Sequence, residues 1–320
     1  MEERGIACAY HGWLYDTEGN CLETPPEPAE SNFRLTIRQK SYPVQELTGL
    51  YWAYLGPKPA TVLPRYDVLA REDGRRRITV HPMLDCNWLQ TVENSVDPTH
   101  APILHQDTAG RTARPVNTTR GFIDDQPSFD FWLVPYGIMK RRNFRNGEGD
   151  EHPLIFPNIL RTGGTAQIRV PVDETHTWRV DVNFRPDPDG NKNPSAKDPE
   201  LIYRESYKNP PDRRHPFTRW KMDTVVQQDH MAWETQGPIA DRTIERLSHS
   251  DRAVVFLREL IFENIEKVRN GVEPFAVIHD PDHSIIDTNM SQDLHFSGGR
   301  TGAGRPYGLT TGTVAPRSSE

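Results

Sequence analysis

Apolar and polar positions change their period along this chain, and the changes divide it. Up to about Pro59 the pattern is short, strand-like and punctuated by turns. Trp13-Leu14-Tyr15-Asp16 leads into Glu18-Gly19-Asn20, a hairpin signal. Phe33-Arg34-Leu35-Thr36-Ile37 alternates as a half-buried strand does, and Gly49 to Leu55 reads as another strand, closed by Gly56-Pro57. Thr24-Pro25-Pro26-Glu27-Pro28 is a loop, because its prolines remove donors and fix φ. Lys58 to about Glu72 reads as a linker.

From Arg76 the texture differs. Ile78-Thr79-Val80 opens a larger domain, and Asn87 to His105 follows as a helix with interruptions. Strands are predicted at Ser128 to Pro135, Ile155 to Leu160, Ala166 to Pro171 and Thr175 to Arg185. They succeed one another without helices between them, which predicts an antiparallel sheet. Residues 186–199 form a polar loop. Asp251 to Asn270 is a helix capped by Ser250 or Asp251, with Val254, Leu257, Leu260, Ile261, Ile265 and Val268 on one face and Gly271 and Pro274 beyond its end. Residues 291–320, rich in Gly, Thr, Ser and Arg, read as a loosely held tail. The expected class is α+β: a small antiparallel β domain over 1–60, a sheet flanked by helices over 61–290, and the tail.

Composition narrows the partners. The 320 residues carry 38 basic and 45 acidic side chains, a net charge of −7, which argues against nucleic acid. Lys140-Arg141-Arg142 with Arg145 reads as a solvated edge or loop. Cys8, Cys21 and Cys86 are too few for a disulfide framework and fit a reducing compartment. The opening Met-Glu-Glu-Arg has no basic or apolar leader region, and no apolar run is long enough to span a membrane. A soluble, cytoplasmic enzyme is expected, with no membrane partner.

Chemistry concentrates in Asn87 to His105. Asp97-x-x-His100-x-x-x-x-His105 holds one carboxylate and two imidazoles, and two imidazoles with one carboxylate can hold a non-haem Fe(II) with positions open for O₂. His105 lies off the face that Asp97 and His100 would share on a straight helix. Pro98 and Pro102, each disturbing the turn before it, resolve the conflict, with a bend near Pro102 bringing His105 round. A remote carboxylate is expected in Val225 to Glu234. Asp229 is preferred and Glu234 is the alternative, which composition and periodicity do not separate.

Cys8-x-x-His11 followed by Gly12-Trp13 supplies half of a mixed Cys/His iron–sulfur ligand set, which takes four ligands. Cys8 to Asp16, the Glu27-Pro28-Ala29-Glu30-Ser31 loop and the Asn87 to His105 run resemble the α-subunit of the Rieske non-haem iron aromatic oxygenases. Gln228-Asp229 through Arg242 is similar to the phthalate-dioxygenase-like branch, and Phe156 to Arg161 with Gln167 to Pro171 to its lignin-biphenyl O-demethylases.

The resemblance implies a partial antiparallel Rieske domain followed by a helix-grip catalytic domain. It implies Fe(II) on His100, His105 and Asp229, Asp97 as a bridging carboxylate and Asn94 as an amide close to the iron. It also implies a [2Fe-2S] cluster with Cys8 and His11 among its ligands, a reductase or ferredoxin partner, an aromatic substrate with O₂, and a homotrimer. Hydroxylation and O-demethylation stay open.

The chain departs from that family in one respect. No Cys-x-His pair occurs in it, and neither Cys21-Leu22-Glu23 nor Cys86-Asn87-Trp88 replaces one. An N-terminally shortened oxygenase is therefore expected, with a catalytically incompetent ligand-binding remnant as the alternative. A free-standing Rieske ferredoxin would have no use for His100 and His105. Arg141, Arg142, Arg161 and Arg169 are candidates to pair with a substrate carboxylate, with exposed cross-strand or surface pairing as the alternative for each.

Overall fold

The computed structural model describes residues 2–105, 128–145, 147, 149–208, 220–279, 282 and 284–288. The tail expected over 291–320 lies outside these residues. The chain divides into two compact units, Met1–Leu63 and Pro64–Glu320.

In the first unit, β1 (Ile6–Ala7), β2 (Leu14–Tyr15) and β3 (Cys21–Glu23) form an antiparallel sheet in that order, and β4 (Val44–Leu47) pairs with β5 (Leu50–Ala53). The β2–β3 turn is built as its residues suggest. The Asp16 carboxylate accepts from the main-chain N–H of Glu18 and Asn20 at 3.0 and 2.7 Å, and Gly19 takes φ +85°. Phe33 to Ile37 corrects the expected strand: Phe33–Thr36 is a 3₁₀ turn. The Ser31 hydroxyl accepts from Phe33 N–H at 3.1 Å and Thr36 Oγ1 donates to the Phe33 carbonyl at 2.7 Å, so local side chains satisfy the backbone that a ladder would need.

The second unit contains α1 (Asp67–Ala70), β6 (Gly74–Val80), α2 (Trp88–Val96), α3 (His100–Leu104), β7 (Ser128–Val134), β8 (Gly137–Asn143), β9 (Gly149–Ile155), β10 (Ile159–Thr162), β11 (Thr165–Pro171), β12 (Thr177–Pro186), β13 (Glu200–Tyr203), α4 (Val225–Glu234) and α5 (Arg252–Arg269). Its eight strands are ordered β13-β6-β12-β11-β10-β9-β8-β7. Neighbours are antiparallel except β13, which runs parallel to β6, so the sheet is mixed rather than antiparallel throughout. The polar loop after β12 crosses the start of β6, where Ser195 Oγ accepts from Arg76 N–H at 3.2 Å, and the next strand then runs beside β6 in its own direction.

The expected strand Ile155 to Leu160 is two strands. Proline at 157 has no N–H for a ladder, and the chain turns there between β9 and β10.

Register assigns the two faces. Ile138 opposes Leu154, Lys140 opposes His152 and Phe131, and Arg142 opposes Asp150 and Phe129. Across β10–β12 the same face carries Leu160, Gln167, Arg169, Arg179 and Asp181. Helices α2 and α5 cover the apolar part of this face, with Val92, Val96, Phe129, Ile138, Leu154, Ala253, Val254, Leu257 and Leu260 as its core. The predicted stripe of α5 stops at Ile261, which packs half-buried against this core. Ile265 and Val268 are 40% and 59% exposed, and the buried Asn264 instead accepts from Phe275 N–H at 2.5 Å.

The basic cluster is also corrected. Lys140, Arg141 and Arg142 sit inside β8 rather than on a solvated loop, and Lys140 is only 6% exposed.

The opposite face packs Ile78, Ala166, Ile168, Val180 and Val182. On it the buried Arg161 donates to Asp67 at 2.8 Å, and Asp67 also accepts from the N–H and hydroxyl of Thr288 at 3.1 and 2.5 Å. Removing that carboxylate would leave a buried guanidinium unpaired. Asp67→Ala is expected to destabilise the second unit by about 3–5 kcal/mol. Urea denaturation followed by tryptophan fluorescence checks this, and an unchanged midpoint refutes it.

Candidate metal centre

Helix α2 starts where the Asn87 side chain accepts from Leu89 N–H at 3.0 Å, and it ends at Val96. It ends there because the residue before a proline avoids the helical region: Asp97, preceding Pro98, has φ −82° and ψ 115°. The break therefore falls at Asp97–Thr99, at the first of the two expected prolines, and α3 runs on through Pro102 where the bend was expected. Pro102 lies in the first turn of α3, where a missing N–H costs nothing. One short helix then presents both imidazoles. His100 begins α3, His105 caps its end, and their rings stand 5.4 Å apart at 89°.

Helix α4 supplies the carboxylate. Thr224 and Gln227 form a reciprocal capping box at its start. Its buried side is tied to the sheet and to α2. Arg179 Nη1 approaches His230 Nε2 at 3.4 Å, and the Gln90 amide donates to the carbonyls of Trp233 and Gly237 at 3.0 and 3.1 Å. Arg179 is held in turn by Asp181 through two N–H bonds of 2.8 and 2.9 Å.

With these elements in place, His100, His105 and Asp229 each offer one atom, all within 4.8 Å of one another. His105 Nε2 lies 3.1 Å and His100 Nε2 3.9 Å from Asp229 Oδ1. The far side of each ring decides what these atoms are. His100 Nδ1 is 3.2 Å from Asp97 Oδ2, and a carboxylate only accepts, so Nδ1 carries the proton and Nε2 is bare. His105 Nδ1 is 2.7 Å from Gln228 Oε1, and that amide is oriented by its own donation to the Met222 carbonyl at 3.2 Å. Two bare nitrogens thus face an anionic oxygen, Asp229 Oδ1, which is buried and receives no hydrogen bond. Facing lone pairs repel unless a cation lies between them. The donor set fits a divalent metal.

Without a metal, a proton competes for the place between these atoms. Burial disfavours the charged form of His105, but Asp229 and Gln228 outweigh it and raise its pKa. Burial also acts against ionised Asp97, yet His100 and Thr99 overcome it and bring its pKa down to about 2. Thr99 contributes an N–H and a hydroxyl to Asp97 Oδ1 at 2.7 and 2.6 Å.

Other candidates sit elsewhere. Glu234 accepts from Asp85 N–H at 2.7 Å and from Lys208 at 2.8 Å, away from the three-residue cluster. Glu93 holds Arg258 and Arg242 at 2.6 and 2.9 Å and so fastens α2 to α5. Asn94 is half-buried on the last turn of α2, its carbonyl accepting from Asp97 N–H at 3.3 Å. Arg161 lies on the opposite sheet face with Asp67, Arg141 pairs with Glu151 at 3.2 Å, and Arg142 with Asp150. Arg169 is fully buried on the metal-side face and bonds Gln167. Gln228 and Thr99 went unnoticed in the sequence. Adjacency to Asp229 and Asp97 was their only signal.

In the first unit, Cys8 and His11 are exposed on the loop between β1 and β2, closed by Cys8 N–H to Trp13 O at 2.8 Å and Gly12 N–H to Cys8 O at 2.9 Å. They supply two of the four ligands a Rieske cluster takes. Cys21 is buried with its thiol on the Glu23 carbonyl, and Cys86 is buried too. Among the described residues, none stands with Cys8 and His11 to complete that cluster.

The comparisons place this geometry in a family. Residues 217–289 match the domain family described as LigXa C-terminal domain like. The oxygenase subunit of 5,5'-dehydrodivanillate O-demethylase from Sphingobium sp. (strain NBRC 103272 / SYK-6) is 33% identical over 88% of this chain and 66% of its own length. The oxygenase subunit of phthalate 4,5-dioxygenase from Pseudomonas putida is 30% identical over 84% of this chain and 69% of its own. The chain belongs to the Rieske-type oxygenases. It spans about two thirds of the length of these curated relatives. Among solved structures, Pseudomonas putida CBB5 NdmA with caffeine shares the fold at a TM-score of 0.57, with 19% identity over 87% of this chain and 79% of that one. Among the described residues, no helix of this oxygenase-family chain is long and apolar enough to cross a membrane.

Asp97 is ionised in the fold at a pH where a free aspartate, near 3.8, is protonated. A depressed folded pKa contributes stability above the unfolded value, and that contribution is lost as pH falls through the folded one. The stability difference between wild type and Asp97→Asn is therefore expected to shrink by about 2 kcal/mol between about pH 4 and pH 2. Urea titrations across that window check it, and a constant difference refutes it.

Proposed function

We propose that His100, His105 and Asp229 hold Fe(II), and that the chain is the oxygenase component of an enzyme that hydroxylates or O-demethylates an aromatic acid with O₂. The observation that carries this reading is the pair of bare imidazole nitrogens aimed at a buried, donor-free Asp229 Oδ1. Two imidazoles and one carboxylate leave further coordination positions open, as oxygen-using ferrous sites require. Bound there, Fe(II) supplies the oxygen activation.

The chain's own residues do the rest. Gln228 keeps the His105 proton on Nδ1, and Asp97 does the same for His100 while remaining ionised. Asp97 is suited to the role its motif implies, a carboxylate linking an iron-side imidazole to an imidazole of the electron-delivering group. Asn94 stands one turn before it as the amide near the iron. Electrons come from a separate reductase or ferredoxin, in keeping with relatives named as oxygenase subunits. An aromatic acid is the substrate class because both relatives are named for aromatic acid anions. A homotrimer and a cytoplasmic location complete the reading.

A second reading rests on Cys8 and His11 furnishing only half a cluster set: this chain binds ligand and iron without turning over. Titration separates the two. Wild type is expected to bind one equivalent of Fe(II) by anaerobic calorimetry, and His100→Ala, His105→Ala or Asp229→Ala to weaken it at least a hundredfold. Wild-type chain that takes up no Fe(II) overturns both readings. Iron uptake without Rieske absorption or product favours the second.

Asp97→Ala is expected to keep iron and lose turnover, assayed with a reductase in a version whose cluster ligands are complete. Activity equal to wild type would refute the bridging role. Product analysis on methoxylated and unmethoxylated aromatic acids then assigns demethylation or ring hydroxylation.

A further inference from the structure

Lys140 points from the middle of β8 to the C-terminal end of α2. Its ammonium donates to the carbonyls of Ser95 and Asp97 at 3.0 and 3.5 Å. Both belong to the C-terminal end of α2, where carbonyls lack intrahelical partners and the helix dipole is negative. Two other cations on this sheet face hold carboxylates, Arg142 with Asp150 and Arg179 with Asp181, whereas Arg169 bonds Gln167. The hydrogen bonds of Lys140 go to main chain. Burying an ammonium costs several kcal/mol that a methionine of similar size would not. Desolvation shows in its proton affinity, which burial and Arg142 pull down to about 7. A lysine held at such a cost is explained by what it fixes.

We propose that Lys140 is a positioning residue for the Asp97–His100 pair. The carbonyls it holds flank the point where the chain leaves α2, so they set the direction of the Asp97 backbone. That direction places the Asp97 carboxylate, and Oδ2 receives both Nδ1–H and the main-chain N–H of His100 at 3.2 and 3.3 Å. Without the Lys140 N–H donors, which the side chain keeps as ammonium or as neutral amine, the two carbonyls stay buried without a donor, the turn relaxes, and the His100 ring loses the acceptor that keeps its Nε2 bare. Thr99 still binds Asp97 Oδ1, so the loop persists while the ring orientation does not.

This inference rests on the ferrous reading for its purpose, but its test does not need iron. In the metal-free chain, nitrogen-15 NMR of the imidazoles at about pH 8, with His100 assigned by its absence in His100→Gln, reads the tautomer directly. Wild type and Lys140→Arg are expected to show His100 with a protonated Nδ1. Lys140→Met should show averaged tautomers while the other histidines hold their shifts. Should Lys140→Met not fold, Lys140→Gln serves in its place with the same expectation. A wild-type His100 pattern in the folded neutral variant overturns the proposal, whatever its melting temperature.

Fe(II) affinity gives a second readout. It should fall tenfold to a hundredfold in Lys140→Met and recover in Lys140→Arg. A variant that loses benzoate binding with His100 unchanged would make Lys140 a substrate contact and overturn the positioning role. Failure of wild type to bind iron would sink the ferrous reading and leave the tautomer result standing.

Discussion

Three lone-pair atoms brought face to face are the constraint on which the rest of this structure depends. Left alone, two bare imidazole nitrogens and a carboxylate oxygen would push apart, and burial worsens the repulsion. They stay together because each ring is fastened at its other nitrogen, His100 by Asp97 and His105 by Gln228. Asp229 is fastened through its helix, whose neighbouring residues bind the sheet and α2. The fold supplies the geometry in advance, and the proposed Fe(II) would supply the attraction.

The sheet makes that preorganisation possible. A single face carries an apolar half, under α2 and α5, and a polar half of arginines, aspartates and histidines under α4. Helix α2 bridges the halves. Val92 and Val96 enter the core, Glu93 grips Arg258 and Arg242, and Gln90 reaches the end of α4. Any displacement of α2 relative to α4 would change the separation of the histidines from Asp229. The bonds between them are polar and directional, which resists sliding better than apolar packing alone.

Local pattern made part of this legible. The alternation in Thr177 to Phe184 marks β12, and the apolar stripe with its caps marks α5 to within a residue or two. The histidine pair was visible as a motif, and the prolines around it announced a break. Tertiary pairings were not visible. The choice between Asp229 and Glu234 turns on Lys208 and Asp85, distant in sequence, which hold Glu234 elsewhere. Lys140 looked like solvated charge because charge usually is. Its burial depends on cross-strand partners that periodicity cannot name. The parallel pairing of β13 likewise follows from a loop path over β6, not from any property of its residues.

The three metal-facing side chains are unequally sheltered: that of His100 is 22% exposed, against 9% for His105 and 10% for Asp229. Among the described residues, solvent meets this cluster chiefly at the His100 ring. In the proposed ferrous site the outer imidazole would be the ring that yields first, with the inner two keeping their grip. Residence time of the proposed metal would then follow that ring, whereas its equilibrium hold would be shared among all three.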